Sequence, residues 1–430
     1  MTAHDLVGVG IGPFNLSAAA LAEQVPDLSV AFFDENPAFS WHPGLLIEGT
    51  TLQVPFLADL VTLVDPTSQW SFLSYLRQRD RLFPFYFAEK FHISRREYND
   101  YCRWVADSLT SCRFGREVTA VRWSSGGVFE VETTDTATAR KEVTEARNVV
   151  LGVGGRPSVP EPFTGLLGKE VFHSASYLDQ ADSLAGAGDI TVLGSGQSGA
   201  EVFLDQLRRH RGSGTRLRWL TRSPAFAPME YSKLGLEHFT PDYTDYFRTL
   251  PQETRDRVTP QQWQLYKASD AGTLAEVHDE LYERRVDGDV PEPQLAPHVA
   301  VTGARWDGGQ LALSCHHGEQ QRDFEVRTDR VVLATGYGSA RPEFLDPLLD
   351  DLDRDGHGRY RVGDDYRVAT GERVSGGLYV QNAEMHTHGV GAPDLGLGAH
   401  RAATILNATA GRQVFELPSR AAFTTFGAPS

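Results

Sequence analysis

Short apolar runs of strand length alternate along this chain with longer segments of helical period. Asp5 to Gly10 reads as a strand, and Leu16 to Leu21 (LSAAAL) opens a helix just after it. A second apolar run, Leu28 to Phe33, follows and ends in Asp34. Residues 66 to 109 have apolar spacing near 3.6 with Pro and Phe punctuation, which predicts helices. Val118 to Val131 predicts β structure around a Ser-Ser-Gly-Gly hairpin signal at 124 to 127. An apolar strand at 149 to 151 then runs into Gly152-Val153-Gly154-Gly155-Arg156-Pro157. The strand, turn and helix order recurs at Asp189 to Leu193 and onward through Leu207, with a further strand at Arg216 to Leu220. Residues 225 to 296 carry aromatics, acids and prolines with a helical run from Ala275 to Arg285, and predict a helical insertion capping a site. Strands follow at 299 to 305, 310 to 316 and 330 to 333, the last leading into Ala334-Thr335-Gly336. A strand at 378 to 382 and a helix from His400 to Ala410 close the pattern.

Glycines at the two strand-to-helix turns change the picture from a generic α/β chain to one that binds dinucleotides. The first turn holds Gly10-x-Gly12-Pro13-x-Asn15, with Asn at the third position. Backbone N–H groups and the helix dipole there can face a pyrophosphate, and Asp34 stands where a carboxylate accepts from a ribose hydroxyl. The alternative is a tight turn without a ligand. The second turn, Gly194-Ser195-Gly196-Gln197-Ser198-Gly199, is a full G-x-G-x-x-G. Its following strand ends in Arg222 rather than an acid, and an Arg there can pair with a 2′-phosphate, the NADPH choice, unless it is an ordinary solvated charge. The fold class expected is therefore α/β, with two Rossmann-like dinucleotide-binding domains and a helical substrate-capping insertion. Residues 1–157 and 326–430 form the first domain, and 158–325 the second, with the insertion at about 225–296.

A length of 430 residues suits two domains. The net charge of −16 argues against nucleic acid, which needs clustered Lys and Arg. Three cysteines without C-x-x-C spacing suit a reducing compartment. With no apolar window of bilayer length and no signal-peptide pattern, a cytoplasmic protein with no membrane association is expected. His386, His388 and His400 lie close in sequence, but no acid or Cys completes a ligand set, so no metal is expected.

With both glycine turns in place, three further runs point to a family: Trp41-His42-Pro43-Gly44, Gln53-Val54-Pro55-Phe56-Leu57-x-Asp59-Leu60 and the Ala-Thr-Gly return. Together they resemble the N-hydroxylating flavin monooxygenases, the lysine and ornithine side-chain hydroxylases of siderophore pathways. The resemblance spans nearly the whole chain. It implies FAD on Gly10, Gly12, Pro13, Asn15, Asp34, Trp41, His42 and Gln53, with Thr335, Gly336, Leu395, Gly396 and Leu397 near the flavin ring. It implies NADPH on Gly194 to Gly199 (Ser195, Gly196, Gln197 and Ser198 between) and on Arg222, and a homo-oligomer. In the family's chemistry NADPH reduces the flavin, oxygen adds at C(4a), and a neutral amine attacks the distal oxygen of the hydroperoxide. Such a site must be dry and must seat a deprotonated nitrogen. Gln53 is the candidate that orders flavin and substrate, a purely structural Gln being the alternative.

Two departures bear on the substrate. Amino-acid hydroxylases of this family have Lys at the x of Phe56-Leu57-x-Asp59-Leu60, where it grips the substrate carboxylate; here x is Ala58. Leu236 stands where they have Asn. Both changes remove partners for a carboxylate, so the expected substrates are molecular oxygen and a diamine, cadaverine ahead of putrescine, with L-lysine or L-ornithine as the alternative. Glu237, Asp270 and Asp394 are candidates to meet the distal ammonium, each open to a structural role instead, and Gly398 completes the expected substrate wall. A flavin reductase, a sulfur or ketone oxygenase (Phe172 to Tyr177 offering only a loose version of that motif) and a non-catalytic NADPH sensor are competing classes.

Overall fold

The computed structural model describes residues 3–339 and 341–428. In chain order its main elements are β1 (His4–Val9), α1 (Pro13–Ala22), β2 (Val30–Phe33), α2 (Phe72–Gln78), α3 (Leu82–Ala88), α4 (Arg95–Ser108), β3 (Arg116–Trp123), β4 (Phe129–Asp135), β5 (Lys141–Leu151), β6 (Val171–His173), β7 (Asp189–Leu193), α5 (Gln197–Arg209), β8 (Arg216–Leu220), α6 (Pro241–Thr249), α7 (Gln252–Gln261), α8 (Ala271–Val286), β9 (Gln294–Ala296), β10 (Val299–Asp307), β11 (Gln310–His317), β12 (Arg322–Thr328), β13 (Arg330–Leu333), β14 (Gly377–Val380) and α9 (Gly398–Ala410).

The first sheet is built on β5. Its C-terminal half lies between β1 and β14, all parallel, with β2 beyond β1. Its N-terminal half pairs antiparallel with β4, which pairs in turn with β3 across the expected hairpin. The second sheet is entirely parallel, in the order β9-β8-β7-β13-β6. Strands β10 to β12 form a small antiparallel sheet. The third of these was not expected, because only Val326 and Thr328 of its seven residues are buried and the apolar signal is weak.

Strand β13 corrects one expected boundary. It lies between β7 and β6, so the chain is still in the second sheet at Leu333 rather than back in the first from 326. The run Arg-Val-Val-Leu suits either parallel sheet, and only long-range pairing decides between them. The chain crosses over through a two-stranded link, Tyr337–Gly338 against Arg156–Pro157, and rejoins the first sheet at β14.

Helices α1, α4 and α9 cover one face of the first sheet. Helix α4 is capped by Ser94, whose Oγ accepts the Glu97 N–H at 3.1 Å. Between the two units the loop after β2 crosses over. Leu45 and Ile47 are buried in the second sheet's core, and Gly44 lies so close to Ala175 that a Cβ would overlap its carbonyl oxygen.

Candidate active site between two glycine turns

Strands β1 and β7 end in matching turns. Gly10 (φ +84) and Gly194 (φ +114) occupy backbone conformations that favour glycine. A Cβ at Gly10 would stand 2.7 Å from the Gly152 carbonyl oxygen, and one at Gly194 would overlap that of Ala334. Gly12 and Gly196 are the N-cap residues of α1 and α5, and neither helix has a side-chain cap. The amides that follow, from Phe14 in α1 because Pro13 has none and from Gln197 in α5, are therefore left for a ligand, an arrangement that suits phosphate. Both turns line one cavity of about 2070 Å³. A pocket for a single small ligand is typically about 300–1,000 Å³, so this one suits two dinucleotides and a substrate.

The third positions differ in use. Gly199 packs against the Gly194 carbonyl, with no room for a Cβ. Asn15, fully buried, donates to the Val9 and Gly10 carbonyls at 3.1 and 2.8 Å and accepts from Gln381 at 2.7 Å. Its amide is spent inside the protein, so the structure makes Asn15 a strut beneath the turn rather than a wall residue. Gly152 makes room for it: a Cβ there would meet the Asn15 amide at 2.5–2.7 Å.

At the end of β2 the Asp34 carboxylate accepts the Ile11 N–H at 2.7 Å and both the backbone and side-chain N–H of Asn36 at 2.9 and 2.8 Å. Asp34 braces the glycine turn from the cavity wall, and Glu35 stands beside it there. At the end of β8, Thr221 and Ser195 join hydroxyls at 2.9 Å. Arg222 follows on the wall with Lys267, and among the described residues neither has a carboxylate partner within 4 Å. Two unpaired cations beside the second turn fit a 2′-phosphate, and sequence reasoning identified only the first.

The loop from 40 to 60 supplies Trp41, His42 and Gln53 to the wall. The Trp41 N–H is held by Asn99 Oδ1 at 2.7 Å. His42 adopts a left-handed conformation (φ 47). Its ring is exposed to the cavity rather than packed in the core, and enclosure there together with the Arg95 charge lowers its pKa, which favours the neutral ring. Tyr337 stacks edge-on between His42 and His173. Ala58 is buried in the turn after Pro55 and is not among the residues lining the cavity, while Asp59 holds that turn by accepting from the N–H groups of Val61, Thr62 and Phe72.

The candidate acids separate. Glu237 accepts the N–H groups of Phe423 and Thr424 at 3.0 and 2.8 Å and so straps the C-terminal segment to the insertion. Asp270 caps α8 by accepting the Thr273 N–H at 2.9 Å. Neither lines the cavity, so these two expectations are replaced by structural roles; Leu236 is an exposed residue that does not line the cavity either. Asp394 sits between two wall residues, Pro393 and Leu395. It accepts the Gly396 N–H at 2.7 Å and has no cation within 4 Å among the described residues. Burial raises its pKa to about 6, against the pull of the Gly396 amide and of Arg401, whose charge is already matched by buried Glu384. Gly396 and Leu397 complete the turn into α9, and Gly398 lies against Phe14, 3.2 Å from where its Cβ would be. Thr335 and Gly336 line the wall at the crossover link. Among the described residues no cluster of His, Cys, Asp or Glu can hold a metal, and no helix is long and apolar enough to cross a membrane.

Comparison with known proteins bears on this geometry. A family model described as L-lysine 6-monooxygenase/L-ornithine 5-monooxygenase matches residues 2–339. A putrescine N-hydroxylase of Shewanella oneidensis is 42% identical over 99% of this chain and 84% of its own. The desferrioxamine-pathway cadaverine monooxygenase of Erwinia amylovora, solved with FAD, is 38% identical with a TM-score of 0.96, covering 100% of both chains. An ornithine N-hydroxylase of Kutzneria sp. 744, solved with reduced FAD, NADP+ and L-ornithine, is 29% identical with a TM-score of 0.88, covering 95% of this chain and 99% of that one.

Proposed function

The chain belongs to the L-lysine 6-monooxygenase/L-ornithine 5-monooxygenase family of FAD- and NADPH-dependent N-hydroxylating flavoproteins, and within it we propose that the substrate is an aliphatic diamine, cadaverine ahead of putrescine, hydroxylated at one terminal nitrogen for a hydroxamate siderophore. The observation that carries the diamine is Ala58: the position that offers the substrate carboxylate a Lys in the amino-acid hydroxylases here offers a buried methyl group. The putrescine and cadaverine enzymes among its relatives support the same substrate class. L-lysine and L-ornithine, named in the family's description, are the competing substrates.

The glycine cradles fit the two cofactors. FAD is held by the turn at Gly10, Gly12 and Pro13, by Asp34 or its neighbour Glu35 at the ribose, and by Trp41, His42, Gln53, Thr335, Gly336 and the Leu395 turn. NADPH is held by the turn from Gly194 to Gly199, with Arg222 and Lys267 at the 2′-phosphate. When bound and reduced, the flavin supplies activated oxygen. The chain's own residues seat the amine, exclude water and keep the reacting nitrogen unprotonated. A free alkylamine has a pKa of about 10.4, and burial is what lowers it. A neutral His42 adds no charge that competes, and the Gln53 carbonyl is the acceptor for an amine N–H. Asp394, which caps the Leu395–Leu397 turn but lies between two wall residues and has no cation within 4 Å among the described residues, receives the distal ammonium.

Helix α3 supports the self-association that is part of this proposal. None of its residues is buried, and Phe83, Tyr86 and Phe87 are each more than 70% exposed beside Leu82 and Phe91. A patch of this kind marks an interface. Glu89 and Lys90 at its rim give the opposite charges that a two-fold contact between copies pairs. Light scattering on Phe83→Glu/Phe87→Glu, expected to fall to a smaller species than the parent, checks it. NADPH dependence and the three separate free thiols fit the cytoplasm.

The test of substrate is hydroxylated product measured with cadaverine, putrescine, L-lysine and L-ornithine in parallel. NADPH consumption alone does not count, because peroxide release mimics turnover. Preference for lysine would overturn the diamine.

A further inference from the structure

A buried line of polar groups runs from the second nucleotide turn to the head of α4 in the first unit. Arg95, the first residue of α4 in the first unit, places Nη1 2.9 Å from Oε2 of Glu201 on α5 in the second. Their side chains are 10% and 2% exposed. The pairs that Asp256 on α7 makes with Arg359 and His357 across the units are far more open, Arg359 and Asp256 being 30% and 29% exposed. Oε1 of Glu201 accepts from Gln197 Nε2 at 2.8 Å. Gln197 also donates to Thr273 Oγ1 at 3.0 Å and accepts the Asp270 N–H at 2.6 Å, so its amide is fixed on three sides. It stands on the cavity wall as the first residue of α5, next to Gly196. At the other end, the Arg95 backbone N–H is donated to the Thr50 carbonyl at 3.1 Å in the flavin-side loop, and the Arg95 charge acts on His42 and Tyr337, cavity-wall residues whose rings are 5.3 Å apart.

A buried ion pair stabilises a protein little over well-packed apolar residues, because desolvation offsets the attraction. What such a pair supplies is one relative geometry. Hydride transfer needs that, since reacting atoms must come within about 3–3.5 Å. We propose that Arg95 and Glu201 are positioning residues that set the NADPH turn, through Gln197, against the flavin-side loop. The inference rests on the placing of FAD and NADPH at the two turns and is independent of the diamine.

Glu201→Gln keeps the volume and an acceptor for Gln197 but removes the charge; Arg95→Met removes its partner. Each holoenzyme is compared with the parent without amine. Flavin content is read from the spectrum, NADP+ affinity by calorimetry, and flavin reduction by stopped flow over a range of NADPH under anaerobic conditions. Enzyme reduced by dithionite is then mixed with oxygen in the absence of NADP+. Reduction rate or NADP+ affinity is expected to fall about 10- to 100-fold in both FAD-replete variants, with reoxidation of the dithionite-reduced enzyme within about twofold of the parent. Hydrogen exchange at 197–205 is expected to quicken.

A lower melting temperature with unchanged reduction rate and NADP+ affinity would make the pair merely structural and overturn the inference. If Arg95→Met does not retain FAD, Arg95→Lys, which keeps the charge on a differently shaped donor, decides by the same two measurements. A parent that NADPH cannot reduce would sink the cofactor placement instead, and a parent that reduces but spares diamines would sink only the substrate.

Discussion

Replacing Asp394 with Asn tests the two ends of a diamine separately. A carboxylate and an ammonium about 4 Å apart attract by about 4 kcal/mol at an effective dielectric of 20. The retained amide dipole and competing water reduce the loss, so about 2–4 kcal/mol is expected, or about 30- to 700-fold in kcat/KM for cadaverine. Pentylamine has the same reacting end and no distal charge, so Asp394→Asn should change its kcat/KM by less than about threefold. The assay is hydroxylamine product, not NADPH loss, for both amines with both enzymes, which forms a four-point cycle. Acidity gives a second readout. With a carboxyl pKa of about 6, the parent's preference for cadaverine over pentylamine should shrink as pH falls through 6, and the variant's should not change. Stability runs the opposite way. Folding raises this carboxyl above its ordinary value near 3.9, so its contribution to stability is fullest below about pH 4 and is lost as pH rises through 6. The ligand-free variant should therefore melt higher than the parent at pH 7.5. Equal losses for the two amines would refute Asp394 as the ammonium's partner, whatever the melting data show.

Three other outcomes are expected. Ala58→Lys should weaken cadaverine more than pentylamine, by up to about 4 kcal/mol if its ammonium comes within 4 Å of the distal charge; identical steady-state kinetics would remove position 58 from substrate choice. Arg222→Ala should lower kcat/KM for NADPH about 10- to 100-fold and leave NADH almost unaffected, the cost of a charge-assisted bond to one phosphate; equal effects on both nucleotides would place Arg222 elsewhere. Gly44→Ala drives a methyl group into the Ala175 carbonyl, and overpacking of that kind costs about 1–3 kcal/mol; differential scanning calorimetry should show a lowered transition, and an unshifted one would mean the loop yields freely.

Both glycine turns were legible because strand, turn and helix are adjacent in sequence, so one local pattern specifies the whole cradle. The same locality explains the errors. Arg330 to Leu333 has the apolar content of a strand in either sheet, and nothing within it says that β7 and β6 are its neighbours. Glu237 and Asp270 have the charge a diamine would want, yet backbone amides satisfy both. For Asp270 a signal existed, since an acid three residues before Thr273 at the head of a helical run is a capping pattern. For Glu237 there was none, because its partners are at 423 and 424. Asn15 was read by analogy with its glycine counterpart, whereas its role depends on Gly152 and Gln381, far along the chain. Arg95 and Glu201 share no local pattern at all.

The crossing of Leu45 and Ile47 into the neighbouring unit's core has a consequence for engineering. A nicotinamide half excised near 158 and 338 would lose two buried aliphatic side chains from its interior, and the flavin half would display them to water. Chimaeras that exchange cofactor preference by grafting whole halves between relatives should therefore take residues 44–47 together with the nicotinamide half, though they precede it in the chain by more than a hundred positions.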